Sequence, residues 1–359
     1  MSVGTFVVPD LPEGSRVVVY GAGGYGRWVA QMAASNGLHV VDVVDRDPTS
    51  CSWTSAVSLA EAARNHPGTT TVVGVFSPGP DIVEVASAIT SSGLGPVVTP
   101  PQFFSWLARN GERARLYWLT TDTTRYGSDA NAIETALSLM SDAESKHVFA
   151  SLLAYRTTGD PAQCPRPRPL AEQHTGIDFG FLPTRSSLVV DCGAYVGDTF
   201  ANWEAAGLQH DLVLALEPDD DSFSKMVRTA ALSQLRVVPV PAGVAERTGR
   251  YRVEGAGASA SLVPAADGGT VALSLDDLVG GAGVSLIKMD IEGGEAAALR
   301  GATNALRRDR PHLAVSVYHK PWHLWTIVNW INEVVGGYRF HLRVYGHQGY
   351  DTVLYAVPT

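Results

Sequence analysis

Cysteine is scarce in this 359-residue chain: only Cys51, Cys164 and Cys192 occur, scattered and outside any CxxC pair. That excludes a disulfide framework and a cysteine-built structural zinc site, and a reducing, cytoplasmic setting is expected. Long apolar runs are missing as well. No stretch reaches the ~18 consecutive apolar residues of a membrane span, and the segment from Met1 to Thr5 has no basic stretch leading into an apolar signal core. Positive charge is in deficit, with 27 Lys and Arg against 36 Asp and Glu for a net charge of −9. A broad electrostatic footprint for nucleic acid or anionic lipid is therefore excluded, and a small-molecule partner is expected. Only four of the basic residues are lysines: Lys146, Lys225, Lys288 and Lys320. What the chain does have is 45% hydrophobic and 18% charged residues, enough for ordinary buried cores. At about 150 residues per domain, its length suggests two domains with a connecting segment.

After Arg16, the mostly β-branched run Val17 to Tyr20 ends in Gly21-x-Gly23-x-x-Gly26 and leads into a helical pattern from Trp28 to Asn36. This reads as strand, glycine turn and helix. Further strands are expected at His39 to Val44, ending at Asp45, at Thr71 to Phe76 and at Pro96 to Thr99, with helices near Ser58 to Asn65 and Asp81 to Ser91 between them. Such alternation implies a parallel sheet in a small Rossmann-like domain over residues 1–118. Residues 119–185 change grammar: two amphipathic helices, Ala130 to Met140 and Asp142 to Tyr155, precede a proline-rich stretch from Asp160 to Pro169. A helical connector or lid is the expectation. Residues 186–359 resume the alternation, with strands at Leu188 to Asp191, Leu212 to Leu216, Arg236 to Val240, Val284 to Met289 and His312 to Val317. Tyr338 to Tyr345 and Thr352 to Val357 are joined by a few residues only, which forces an antiparallel hairpin because a parallel crossover needs a dozen or more.

Asp191-x-Gly193-x-x-x-Gly197 follows the first strand of this second half, where a doubly wound sheet holds ligands at its C-terminal edge. Glu217 lies 20 residues after Gly197 at the end of the next strand, where an acid can hold two ribose hydroxyls. Lys288 and Asp290 share one side of an otherwise apolar strand. Charges buried there need either a function or a partner, and two of the four lysines, Lys288 and Lys320, flank this region. His319 follows the fifth strand at the same sheet edge and titrates near neutrality, which makes it the leading general base, with His323 one helical turn on as its support. Asp290, Glu292 and His319 are alternatively a set able to gather a divalent cation such as Mg²⁺. His341, Arg343, Tyr345 and His347 on the hairpin either recognise an acceptor or face outward, and Trp322, Trp325 and Trp330 either wall a ligand or fill the core.

Several blocks in this half resemble the FkbM family of S-adenosylmethionine-dependent methyltransferases, especially members with an extra N-terminal Rossmann-like domain. They are Val190 to Thr199, Leu216 to Asp219, Ser274 to Leu278, Ile287 to Glu295 with Leu299 to Ala302, Val315 to Lys320, and Asp351 to Pro358. The resemblance implies a class I methyltransferase Rossmann-like fold, a parallel sheet ending in an antiparallel hairpin. It places Asp191, Gly193, Ala194, Tyr195, Gly197, Asp198, Thr199, Glu217, Pro218 and Asp219 around S-adenosyl-L-methionine. Tyr195 stands where many methyltransferases carry a middle glycine, so its backbone is expected at the methionine end. Methyl transfer from a sulfonium needs an aligned and deprotonated acceptor, so His319 and Asp290 are the expected catalytic groups, with Lys288 and Lys320 in electrostatic support. The acceptor expected is a hydroxyl on a sugar or specialised metabolite.

Gly21, Gly23, Gly26 and Asp45 also fit a dinucleotide fingerprint, for NAD or a nucleotide sugar. No Tyr-x-x-x-Lys or comparable hydride-transfer set follows. The remaining readings are an NAD-dependent oxidoreductase or epimerase, a non-catalytic nucleotide-binding docking protein, and a retained scaffold for acceptor docking or for a homodimer.

Overall fold

The apolar run after Arg16 is strand β1 (Arg16–Tyr20), and the glycine turn that follows it opens helix α1 (Gly24–Ser35). The computed structural model describes residues 6–183, 186–254 and 261–359. Strands β2 (His39–Val44), β3 (Thr70–Val73) and β4 (Val97–Val98) pair in parallel in the order β2-β1-β3-β4, with helices α2 (Leu59–Asn65) and α3 (Ile82–Ser92) in the crossovers. Val17, Val19, Val29, Ala33, Val72 and Phe103 are fully buried in one core. Gly26 is set by that packing, because a Cβ there would stand 1.8 Å from the Gly21 carbonyl oxygen.

Two units divide the chain. The first holds Met1–Ala130, Ala150–Pro167 and Gly346–Tyr350; the second holds Asn131–Phe149, Arg168–Tyr345 and Asp351–Thr359. The stretch 119–185, expected as a connector, is thus divided between the two units. Within it Tyr126, Ile133, Phe149, Leu152 and Tyr155 are buried. The expected end of that stretch, at 184–185, lies outside the described residues.

The second unit is built on a seven-stranded sheet. In chain order its parts are β5 (Ser186–Cys192), α4 (Asp198–Ala205), β6 (His210–Leu216), α5 (Asp220–Leu232) and β7 (Val237–Val240). A small separate sheet of β8 (Gly243–Val244), β9 (Gly249–Glu254), β10 (Ser261–Pro264) and β11 (Thr270–Leu273) follows, and no periodicity had pointed to it. The main sheet resumes with β12 (Val284–Met289), α6 (Glu295–Arg300), β13 (His312–Ser316), α7 (His323–Val334), β14 (Tyr338–Val344) and β15 (Thr352–Pro358). Its order is β14-β15-β13-β12-β5-β6-β7, parallel except that β15 runs antiparallel to both β13 and β14. The expected reversed hairpin is therefore present. Val189, Trp203, Val213, Leu286, Ala314 and Tyr355 close the core around the sheet. Among the described residues, no helix is long and apolar enough to cross a membrane.

Candidate active site

The C-terminal ends of β5, β6, β12 and β13 open into one cleft of about 1620 Å³. Its wall includes Gly193, Tyr195, Asp198, Thr199, Glu217 and Asp290. This exceeds the ~300–1,000 Å³ of a pocket for one small ligand, so two can lie side by side. The turn after β5 is left-handed at Gly193 (φ 77°), Tyr195 (φ 47°) and Gly197 (φ 82°). At Gly193 the requirement is absolute, because a Cβ would stand 2.0 Å from the Asp290 carbonyl oxygen. Glu217 bridges this loop to the end of β6: its Oε2 accepts from the Tyr195 N–H at 3.0 Å and its Oε1 from the Asp219 N–H at 2.8 Å. Burial pushes the Glu217 carboxyl up while those two N–H donors pull it down, and the carboxylate keeps accepting positions toward the cleft.

The other residues of the expected cofactor set divide. Asp198, Thr199, Pro218 and Asp219 line the cleft beside Tyr195, whose side chain is 58% exposed. Ala194 is buried, with its N–H on the Leu216 carbonyl at 2.9 Å. The Asp219 carboxylate caps α5 by accepting from the Ser222 N–H at 2.9 Å, which holds its carboxyl below the ordinary range. Asp191 does not line the cleft. Its carboxylate is fully buried and pairs with Lys288 Nζ at 2.9 Å, while the same Nζ donates to the Gly193 carbonyl at 2.7 Å. Burial works against the Lys288 charge, but the carboxylates of Asp191 and Asp290 outweigh it and raise the pKa. Of the two readings of the charged strand, the buried pair is the one observed. Lys288 is a positioning residue under the glycine loop, since a side chain only 3% exposed and held at both partners is not free for an acceptor.

At the ends of β12 and β13 stands a second group. His319 has a side chain with no exposed surface, its Nδ1 2.7 Å from Glu295 Oε1 and its Nε2 3.4 Å from Asp290 and 3.6 Å from Glu292. Burial lowers the imidazole pKa, but Glu295, then Asp290 and Glu292, carry it up to about 9. The expectation of His319 as a free base meets three carboxylates that favour its imidazolium form. Asp290 and Glu292 share a wall of the cleft. Of the residues expected to gather a divalent cation, Asp290 and His319 converge, but Glu295 and not Glu292 completes the group whose ligand atoms lie within 4.8 Å of one another. Glu292 holds a left-handed φ of 52°, and its carboxyl is raised by burial first and then by neighbouring acids. Lys320 crosses the adjacent turn, where a Cβ on Gly293 would meet its Cε at 2.9 Å.

Glu295 closes the Ile287 to Glu295 block, and no role is expected for it from the sequence. It is wholly buried, and its Oε1 accepts from the Ile291 and Gly293 N–H groups at 3.1 and 3.2 Å. Its Oε2 is 3.2 Å from His323 Nδ1, which places His323 behind His319 as expected. Asp351 was missed in the same way. It lines the cleft, and burial followed by the charge of Asp290 pushes its carboxyl up to about 6. Neither an acid opening a short helix nor one in the turn of a hairpin carries a spacing signal by which it could have been singled out.

His341, Arg343 and Tyr345 on the hairpin are buried, and none of them lines the cleft. His341 stacks on Phe179 at 4.1 Å and pairs with Asp142, while Arg343, 3% exposed, pairs with Asp178 at 2.6 Å and with Asp142. His347 falls in the first unit. Trp325 is core, whereas Trp322 lines the cleft. In the first unit, Asp45 Oδ2 accepts from the Ala22 N–H at 2.7 Å and Oδ1 from the Asp47 N–H at 3.0 Å, and Trp53 Nε1 donates to the Ala22 carbonyl at 2.7 Å. The turn is therefore held by its own neighbours.

Residues 191–340 match a family described as the methyltransferase FkbM domain. A solved FkbM methyltransferase from Methylobacillus flagellatus KT superposes with a TM-score of 0.76 at 21% identity, over 98% of this chain and 94% of its own. An rRNA methylase from Streptococcus thermophilus, at 14% identity, covers 54% of this chain and 98% of its own with a TM-score of 0.35. Aeropyrum pernix fibrillarin, solved with bound S-adenosyl-L-methionine, reaches 0.30 at 11% identity, covering 48% of this chain and 67% of its own. No curated protein matches the sequence.

Proposed function

Because the chain carries a methyltransferase FkbM domain over residues 191–340, we propose that it transfers the methyl group of S-adenosyl-L-methionine to a hydroxyl of a sugar or specialised metabolite. The observation that carries this is Glu217. Its carboxylate ties the glycine loop to the edge of β6 and faces the cleft where two ribose hydroxyls can bind. The sulfonium end of the donor then lies toward β12, next to Asp290 and Glu292.

Transfer is an in-line displacement: the acceptor oxygen attacks the methyl carbon as the carbon–sulfur bond breaks, and S-adenosyl-L-homocysteine leaves without needing a proton. The protein's tasks are alignment and removal of the acceptor's proton. Asp290 and Glu292, held beside the His319 imidazolium, take that proton, and the acids around them favour the cationic donor over its neutral product. The cleft has room for a polar acceptor beside the donor.

Calorimetry with S-adenosyl-L-homocysteine tests the donor site. Wild-type protein should bind, and Glu217→Ala should weaken binding at least tenfold while the fold is retained. Equal affinity of the two proteins would refute the ribose assignment. A labelled-methyl screen against polyhydroxylated acceptors tests the acceptor class, and labelling confined to nitrogen or carbon acceptors would overturn it.

A further inference from the structure

The segment Leu170 to His174 precedes β5 and belongs to none of the methyltransferase motif blocks, yet Leu170, Ala171, Gln173 and His174 line the cleft together with Gly193, Asp198 and Thr199. His174 is unusual in four respects. It is only 3% exposed. Its backbone is left-handed, with φ 61°, which a β-carbon-bearing residue adopts at a cost. Both of its main-chain polar groups are held by core aromatics: the N–H donates to the Tyr355 hydroxyl at 2.9 Å, and the carbonyl accepts from Trp203 Nε1 at 3.1 Å. Its ring Nε2 is buried without a hydrogen-bond partner among the described residues. Burial and the charge of Lys288 keep the ring neutral.

A buried polar atom left without a partner costs about 1–3 kcal/mol. Here the cost is accepted at a residue whose backbone is strained and clamped at both ends, so the ring is held in place by the fold and not by its own preferences. Such a ring is preorganised for a partner that arrives with a ligand. Lys288 locates it: the ammonium that acts on the His174 ring also donates to the Gly193 carbonyl, at the first glycine of the loop. Glu217 takes the ribose from the other side of the same loop. What lies at the Gly193 and Asp198 end is then the part of the donor on the far side of the sulfur from the nucleoside.

Taking the cleft as the methyl-donor site, we propose that His174 Nε2 hydrogen-bonds the α-amino-acid end of S-adenosyl-L-methionine and so fixes the methionine arm. The segment from Leu170 to His174 forms the wall of that subsite, and Asn202 Nδ2 donates to the Leu170 carbonyl at 3.3 Å from α4. A neutral ring can either donate to the carboxylate or accept from the ammonium.

The test compares two ligands that differ only in this arm: S-adenosyl-L-homocysteine, and 5′-methylthioadenosine, which lacks the amino-acid end. Calorimetry is run on wild type, His174→Gly, which relieves the left-handed backbone and removes the ring, and His174→Asn, which tolerates that backbone and keeps a polar group. His174→Gly should weaken S-adenosyl-L-homocysteine by tenfold or more and leave 5′-methylthioadenosine within twofold, with His174→Asn between wild type and His174→Gly. Equal weakening of both ligands would show a purely structural residue, and no weakening of either would remove His174 from the site; each result overturns the assignment. If wild type bound neither ligand, the donor reading itself would fall, an outcome distinct from both.

Discussion

Removing the Lys288 ammonium probes the loop from beneath. In Lys288→Ala, the Asp191 carboxylate, with no exposed surface, loses its 2.9 Å partner, and the Gly193 carbonyl loses a 2.7 Å donor. Breaking a buried pair by deleting one partner costs about 3–5 kcal/mol, because the remaining charge is left uncompensated. That is a large part of the ~5–15 kcal/mol that holds an ordinary domain folded. With a urea dependence of about 1–3 kcal/mol per molar, the midpoint of the second unit should fall by on the order of 1–5 M. Tryptophan fluorescence can follow it, since Trp203 is fully buried in the same core. Replacing both charges, as in Lys288→Met with Asp191→Leu, should recover most of the loss, because apolar residues of similar volume leave nothing uncompensated. A loss below about 1 kcal/mol for Lys288→Ala, or a double variant less stable than the single one, would refute the argument that the pair is a buried strut.

Two pH dependences follow from the second unit. His319 has a folded pKa of about 9, above the ~6.5 of a free imidazole. Its contribution to stability is complete below about pH 6.5 and is lost as the pH rises through 9. Histidine-resolved NMR titration of wild type should show that raised value and Glu295→Gln a lower one; an unchanged titration would remove Glu295 as its cause. Asp142 runs the other way: burial opposes its charge, but the Ser145 N–H, His341 and Arg343 hold its carboxyl below the ordinary range. Its contribution is present above the unfolded value of ~3.9 and lost as the pH falls toward the folded one. The stability gap between wild type and Asp142→Asn, measured by denaturation from pH 6 to 2, should therefore narrow as acid is added, and a gap constant across that range would contradict the pairing.

Much of this architecture was legible in the chain because it is local. Val17 to Val19 and Val189 to Val190 are apolar runs closed by glycines, and the few residues between β14 and β15 allow only a hairpin. The small sheet β8 to β11 was not legible: its strands are two to six residues long and carry no sustained alternation. At the site, spacing found Glu217, Asp290 and His319, whose positions at strand ends follow from the sheet. It could not find Asp351 or His174, which reach the cleft through tertiary packing, or Glu295, buried behind His319, and it could not tell that Lys288 pairs with Asp191. Nor does the sequence show that three carboxylates brought in by the fold raise the His319 pKa above that of an ordinary imidazole.

The contact between Gly193 and the Asp290 carbonyl has a further consequence for how such a site can diversify. Asp290 also donates its N–H to the Cys192 carbonyl at 3.0 Å, so the glycine loop and the start of the Asp290 turn are joined main chain to main chain. The distance between that loop and Asp290 is then fixed by backbone geometry. Side chains elsewhere on the wall, such as Tyr251, Leu262 and Trp322, can be exchanged without retuning it.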